Sequence, residues 1–223
     1  MIVSALFPSA VLWDLDGTLI DSEPAWIDAE RELALEFGVE WTDVDGLSLV
    51  GKGLLDSGRY LQARGIELTP EEIVERLVAS VEVQLRAHIP WRPGARDILQ
   101  SVQGAGIPQV LVTMSYRSLA QIVVDECGFF TASITGDEVT HSKPHPEPYL
   151  AGARSVSVDI KDCVAFEDSV PGTSSAVASG ATTIAVPLHA PLPESPENYE
   201  LWHSLVGRGL DDIAAVHFRR KGR

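Results

Sequence analysis

Short apolar runs that end abruptly on polar residues recur along this chain. Ala10 to Ile20 reads Ala-Val-Leu-Trp-Asp-Leu-Asp-Gly-Thr-Leu-Ile, an apolar stretch broken by two carboxylates one residue apart and then a glycine. Val11 to Trp13 is apolar on both faces and predicts a buried parallel strand. Comparable runs predict further strands at Gln109–Thr113, Ala132–Thr135, Asp162–Phe166 and Thr182–Val186. After the first run the period changes. Trp26, Ala29, Leu33 and Phe37 recur three to four apart, which predicts an amphipathic helix over Ser22–Phe37 stopped by Gly38. Trp41–Gly53, rich in Gly, Asp and Ser, reads as a flexible loop leading into a helix at Leu54–Arg64. Thr69, Pro70 and Glu72 form the start of another helix, with Thr69 as N-cap and Glu72 closing a capping box ahead of the stripe Ile73, Leu77, Val81, Leu85.

The segment of about residues 21–90 thus carries helices and no convincing strand, and it interrupts the α/β rhythm on either side. It is expected to be an inserted helical domain. Pro90–Gly94 forms the return linker, and Ile98, Leu99 and Val102 mark a helix ended by Gly104 and Gly106. Ser115 is placed to cap a helix from Tyr116 to Cys127. Lys143-Pro-His-Pro-Glu-Pro opens the next helix, Pro171–Gly180 is a helix of small residues able to pack close to a sheet, and a last short helix covers about Leu210–Val216. Residues 187–202 are rich in Pro and Glu and read as an irregular surface excursion.

Charge narrows the function classes. A formal charge of -15 over 223 residues makes nucleic acid and anionic membranes poor partners. The basic cluster Arg219–Arg223 reads as a frayed, solvated tail. Two cysteines, Cys127 and Cys163, both in apolar surroundings, suggest reduced core residues rather than a disulfide framework. No basic region precedes an apolar stretch at the N-terminus, and no run approaches the roughly 20 apolar residues of a membrane span, so a soluble cytoplasmic protein is expected. The sequence is silent on assembly beyond an expectation of a monomer or weak homodimer.

The polar residues at the strand ends are the candidate chemistry. Open α/β sheets place ligands beyond the carboxyl ends of their strands. Asp14 and Asp16, at i and i+2, lean to the same side if the chain stays extended, and Gly17 lets the backbone turn away. Two carboxylates facing one spot repel each other unless a cation or proton is shared. The remaining strand ends deliver Thr113, Lys143, Glu167 and Asp168. Together these suit phosphoryl transfer. Asp14 can attack a phosphate monoester only if a divalent cation and an ammonium offset the charge; Asp14, Glu167 and Asp168 are oxygen ligands of the kind Mg²⁺ prefers, and Lys143 is the ammonium. The Thr113 hydroxyl and the amides around Met114 and Ser115 are candidate donors to the phosphoryl oxygens. Asp16 is free to protonate the leaving oxygen and then to deprotonate water. A calcium loop fails because the twelfth residue from Asp14 is Ala25, not Glu.

Four motifs in order, Asp14-Leu-Asp16-Gly-Thr18, a strand ending in Thr113, Lys143-Pro, and Glu167-Asp168-Ser169, resemble the haloacid dehalogenase (HAD) superfamily. The resemblance is to its helical-cap phosphatase branch, close to phosphoglycolate phosphatases and beta-phosphoglucomutase-like proteins. It implies a Rossmann-like core (residues 1–20 and 91–223) with strand one between strands two and four, and a helical cap (21–90) closing over a small phosphate ester. It also implies Mg²⁺ held by the side chains of Asp14 and Asp168 and the main-chain carbonyl of Asp16, with Glu167 as ligand or supporting partner.

Asp16 favours phosphate-ester chemistry over dehalogenation or phosphonate cleavage. The mutases carry a His and an Arg where this chain has Trp26 and Leu54, which makes hydrolysis of a sugar or polyol phosphate the leading expectation. A phosphomutase and a non-catalytic binding module keeping the fold are the alternatives. Lys52, flanked by two glycines in the cap loop, is a specificity candidate as much as a solvated residue, and a Schiff-base role for it is disfavoured by Asp16. His141 and His145 flank Lys143 without an i, i+4 helical face between them and are not expected to bind metal.

Overall fold

The computed structural model describes residues 7–50, 52–193 and 197–221. Its core is a parallel sheet in the order β3-β2-β1-β4-β5-β6. The strands are β1 (Ala10–Trp13), β2 (Gln109–Val112), β3 (Ala132–Ile134), β4 (Cys163–Glu167), β5 (Thr182–Ala185) and β6 (Glu200–Leu201). β1 lies between β2 and β4, with Val11 opposite Gln109 and Val164. Every residue of β1, β2, β4 and β5 is buried, as runs apolar on both faces require. Alternation sorts them: Val11, Trp13, Leu111, Val164, Phe166 and Ile184 enter one apolar cluster, and Ala10, Leu12, Val110, Val112, Cys163 and Ala165 the other. Trp13 stacks on Phe166 with ring centroids 4.2 Å apart, and its indole N–H donates to Gln109 Oε1 at 3.0 Å. Cys127 and Cys163 are buried free thiols.

Between β1 and the rest of the sheet run α1 (Glu23–Glu36), α2 (Asp43–Leu47), α3 (Leu54–Ala63) and α4 (Pro70–Ala87). No strand interrupts them among the described residues. The stripe Ile73, Leu77, Val81 and Leu85 of α4 is buried, and the Thr69–Glu72 capping box forms, with Thr69 N–H donating to Glu72 Oε2 at 2.8 Å. α5 (Ala95–Gly104), α6 (Arg117–Cys127), α7 (Glu147–Ser155), α8 (Val170–Ser179) and α9 (Leu210–Lys221) complete the helices. None is long and apolar enough to cross a membrane.

Four expectations are corrected. The loop after Trp41 contains α2, capped by a Thr42–Asp45 box; its Val44 and Leu47 are exposed, so no apolar stripe announces it. Ser115 does not cap α6. The helix starts one residue later than expected, so its N-cap is Tyr116, and the Ser115 hydroxyl instead donates to Asp16 Oδ2 at 2.8 Å. Residues 187–202 are not wholly irregular: β6 adds to the sheet, and Tyr199 and Trp202 are buried, Trp202 edge-on to Phe166 at 5.5 Å. The basic cluster is helical through Lys221, with Arg219 paired to Glu200 at 2.9 Å and Lys221 to Asp162. Gly51, residues 194–196 in the excursion, Gly222 and Arg223 in the basic cluster, and residues 1–6 lie outside the described residues.

Candidate active site

The carboxyl ends of β1, β2 and β4 converge. Asp14 directly follows β1, Thr113 follows β2, Glu167 ends β4 and Asp168 directly follows it. Lys143 arrives from the loop before α7. Its Nζ lies 2.7 Å from Asp14 Oδ1 and 2.6 Å from Glu167 Oε1, and donates to the Val112 carbonyl at 2.9 Å. All three side chains are buried. The Tyr149 hydroxyl donates to Glu167 Oε1 at 2.6 Å.

One carboxylate oxygen from each of Asp14, Glu167 and Asp168 lies within 4.8 Å of the others. Three buried acids share this space with one ammonium that touches two of them, which leaves an excess of negative charge. Burial first, then the neighbouring Glu167, push the Asp14 carboxyl up to about 7 despite Lys143. Burial, Asp14 and Glu167 hold Asp168 well above the usual carboxylate range. Burial disfavours the Lys143 ammonium, yet Asp14 and Glu167 outweigh that and hold it above its ordinary value. Asp14 Oδ2 is buried with no hydrogen-bond donor. An orphaned oxygen among three hard oxygen donors, with charge to neutralise, fits a divalent cation such as Mg²⁺.

Two glycines permit this packing. A Cβ on Gly17, whose φ is +82°, would sit 2.0 Å from Asp168 Oδ2. A Cβ on Gly172, in the first turn of α8, would sit 1.9 Å from Glu167 Oε2, so only glycine lets that helix close over the buried acid.

Asp16 stands apart from the acidic trio but lines the same pocket. Its Oδ1 accepts from the Ser22 hydroxyl at 2.6 Å, and its Oδ2 from Thr113 at 3.0 Å and Ser115 at 2.8 Å. The hydroxyl expected to reach a phosphoryl oxygen is therefore engaged with Asp16, and the Ser115 amide donates to Thr113 Oγ1 at 2.9 Å. Met114 also lines the pocket, its sulfur accepting from the Lys143 amide at 3.5 Å. Lys52, Trp26 and Leu54 all line it from the helical segment.

Several site residues escaped the sequence reading. Ser22 looks like the start of α1 but makes no side-chain cap. Arg92, within the supposed linker, is buried and donates to the carbonyls of Gly17 and, at 2.8 Å, Val186, tying the turn after Asp16 to the end of β5. Tyr149 had only its helix position as a signal. Glu23 and Glu30, at i and i+7 on one face of α1, also line the pocket. His189 arrives from the excursion and sits 2.6 Å from Asp21 Oδ1. His141 and His145 do come together, with ring centroids 4.5 Å apart beside Glu147. They are exposed, and their Nδ1 atoms are engaged by the Glu147 carboxylate and amide at 2.8 and 3.2 Å, bonds that brace the start of α7.

A family model for haloacid dehalogenase-like hydrolases matches residues 8–180. The bifunctional riboflavin kinase/FMN phosphatase of Arabidopsis thaliana is 29% identical over 91% of this chain, and the chain spans 54% of that protein's length. Hexitol phosphatase B of Escherichia coli (strain K12) is 31% identical over 80% of this chain and 83% of that protein. Among solved structures, CbbY from Rhodobacter sphaeroides in complex with xylulose-(1,5)bisphosphate superposes with a TM-score of 0.80 at 25% identity, covering 91% of this chain and 97% of that one.

Proposed function

The chain belongs to the haloacid dehalogenase-like hydrolase family, and from that premise we propose that it is a phosphatase of small phosphorylated metabolites of the sugar or polyol class. The observation that carries the reading is the buried Asp14–Lys143–Glu167 contact beside Asp168, with Asp16 held separately a turn away. The helices α1 to α4 are assigned as a cap over the site, residues 21–90, on a core formed by 1–20 and 91–223.

In this mechanism Asp14 attacks phosphorus, the ester P–O bond breaks, and the alcohol leaves with a proton from Asp16. Asp16 then takes a proton from water as that water attacks the aspartyl-phosphate, which releases orthophosphate and restores Asp14. Ser22, Thr113 and Ser115 fix the Asp16 carboxyl and fill about three of its four acceptor positions, which leaves Oδ1 one position to hold the proton in transit. Lys143 holds the charge of the phosphoryl oxygens and orients Asp14. Asp14, Asp168 and the Asp16 main chain would hold Mg²⁺, with Glu167 supporting from behind through Lys143 and Tyr149. The cation supplies charge neutralisation between two anions that otherwise repel.

Phosphomutase chemistry is the less favoured reading: the resemblance to that branch implies a His and an Arg where this chain has Trp26 and Leu54, both of which line the pocket. Assay of purified protein on a panel of metabolite phosphates, with Mg²⁺ and with chelator, tests the reading. Metal-dependent phosphate release that is lost in Asp14→Asn is expected. No release from any substrate, or an active Asp14→Asn, defeats it; conversion of a sugar 1-phosphate to its 6-phosphate without release decides for a mutase.

A further inference from the structure

The pocket wall opposite the acidic trio is also acidic. Glu23, Trp26 and Glu30 present one face of α1 to it, and Lys52 is the basic residue that the helical segment adds. Glu30 is 4% exposed. Its Oε2 accepts from the Trp41 indole N–H at 3.2 Å, and among the described residues it pairs with no cation. A buried carboxyl with one neutral donor is under-satisfied, because its oxygens can accept about four hydrogen bonds. The group is held in place across the helical segment by Trp41, which is itself buried.

We propose that Glu30 is a specificity residue that hydrogen-bonds a hydroxyl of an uncharged, polyhydroxylated leaving group, and that Glu30 and Glu23 together disfavour leaving groups carrying a second anion. This rests on the phosphatase reading and names the half of the substrate that the acidic trio does not touch. A carboxylate or second phosphate in this space would meet two acids and one lysine, whereas a hydroxyl can donate to Glu30 without a charge to offset. Burial, reinforced by Glu23, pushes the Glu30 carboxyl up to about 8 against the Trp41 bond, so repulsion of a second anion operates above about pH 8, while below it a protonated Glu30 can donate to a second hydroxyl. Burial, with Asp16 and Asp21, likewise pushes Glu23 up to about 7.

Calorimetric titration at pH 9 in Mg²⁺, with Asp16→Asn as the background to prevent turnover, tests the assignment by comparing a hexitol phosphate, phosphoglycolate and orthophosphate in chains with Glu30 intact (here called wild type), with Glu30→Gln and with Glu30→Leu. Loss of a hydrogen bond to a carboxyl predicts that Glu30→Leu weakens the hexitol phosphate about tenfold or more while orthophosphate stays within about twofold. Glu30→Gln keeps an acceptor and the Trp41 bond, so it retains most of the hexitol phosphate affinity and gains affinity for phosphoglycolate. Equal losses for hexitol phosphate and orthophosphate, no change in either, or wild-type binding of phosphoglycolate as tight as that of the hexitol phosphate overturns the proposal. The same binding pattern without Mg²⁺-dependent phosphate release supports Glu30 while rejecting the phosphatase reading.

Discussion

Lys143→Met isolates the electrostatics of the buried cluster. The substitution keeps the side-chain length and removes the ammonium that lies 2.7 Å from Asp14 and 2.6 Å from Glu167. Removing one partner of a buried ion pair costs about 3–5 kcal/mol, since the other is left buried and unpaired. At about 2–4 °C per kcal/mol for a chain of this size, the melting temperature should fall by about 6–20 °C. The cost depends on pH. Asp14 and Asp168 already hold their protons more tightly when folded than when unfolded, and losing Lys143 raises both further. A group whose folded pKa is raised stabilises fully below its unfolded value and loses that contribution as pH climbs through the folded one. Wild-type stability in chelator should therefore decline from about pH 4 through about 8, as Asp14, Glu23 and Glu30 titrate, with the raised Asp168 extending the decline. The variant should go on declining above pH 7 by about 1.4 kcal/mol per pH unit for each carboxyl still protonated. Urea unfolding followed by tryptophan fluorescence in chelator at pH 5, 7 and 9 reads this directly. A variant within about 0.5 kcal/mol of wild type at pH 9, or a gap that does not widen with pH, refutes the argument.

Four other perturbations bear on the site. Asp14→Asn should abolish phosphate release yet stabilise the metal-free protein at pH 8 by about 1–3 kcal/mol, measured by denaturant midpoint, because it removes a buried charge that its neighbours repel. Added Mg²⁺ should raise the melting temperature of wild type and leave Asp14→Asn and Asp168→Asn much less affected, as thermal scans with and without chelator would reveal. Gly172→Ala drives a methyl into the Glu167 carboxylate and should cost about 1–3 kcal/mol together with much of the activity, both lost in the same variant. Ser22→Ala removes the 2.6 Å bond to Asp16 Oδ1 and should lower kcat by about five- to tenfold with little change in KM, because its target is proton handling rather than binding.

The elements legible in the sequence were those whose pattern local physics dictates. β1, β2, β4 and β5 are buried on both faces, so their apolar runs could hardly be read otherwise, and α4 carried both its stripe and its capping box. α2 was hidden because its five residues bury only Gly46, although Thr42 and Asp45 hold the signature of a cap. β6 is two residues long and owes its place to pairing with Ile184 and Ala185, a tertiary fact with no local trace. At the site, Asp14, Asp16, Lys143, Glu167 and Asp168 stood out because acids and a lysine at strand ends are costly without a purpose. Arg92, Tyr149 and Ser22 did not, since each serves through a partner about 6 to 94 positions away and no spacing rule links them. Thr113 and Ser115 stood out as residues, but the bonds of their hydroxyls to Asp16 did not, because sequence cannot say which nearby acceptor a hydroxyl reaches.

The bond between Lys143 and Asp14 joins positions 129 apart. Until β1 has β2 and β4 on either side, each charged member of this cluster is better off in water, and nothing rewards bringing any two of them together without the rest. Assembly of the reactive centre is thus postponed to the late, non-local stage of folding, when loop closure has already been met by the apolar strands. A nascent chain released before residues 163–168 emerge would hold its first two acids on an incomplete sheet, without the lysine contact and without Glu167 and Asp168. Such a species would have no competent centre with which to act on cellular phosphate esters prematurely.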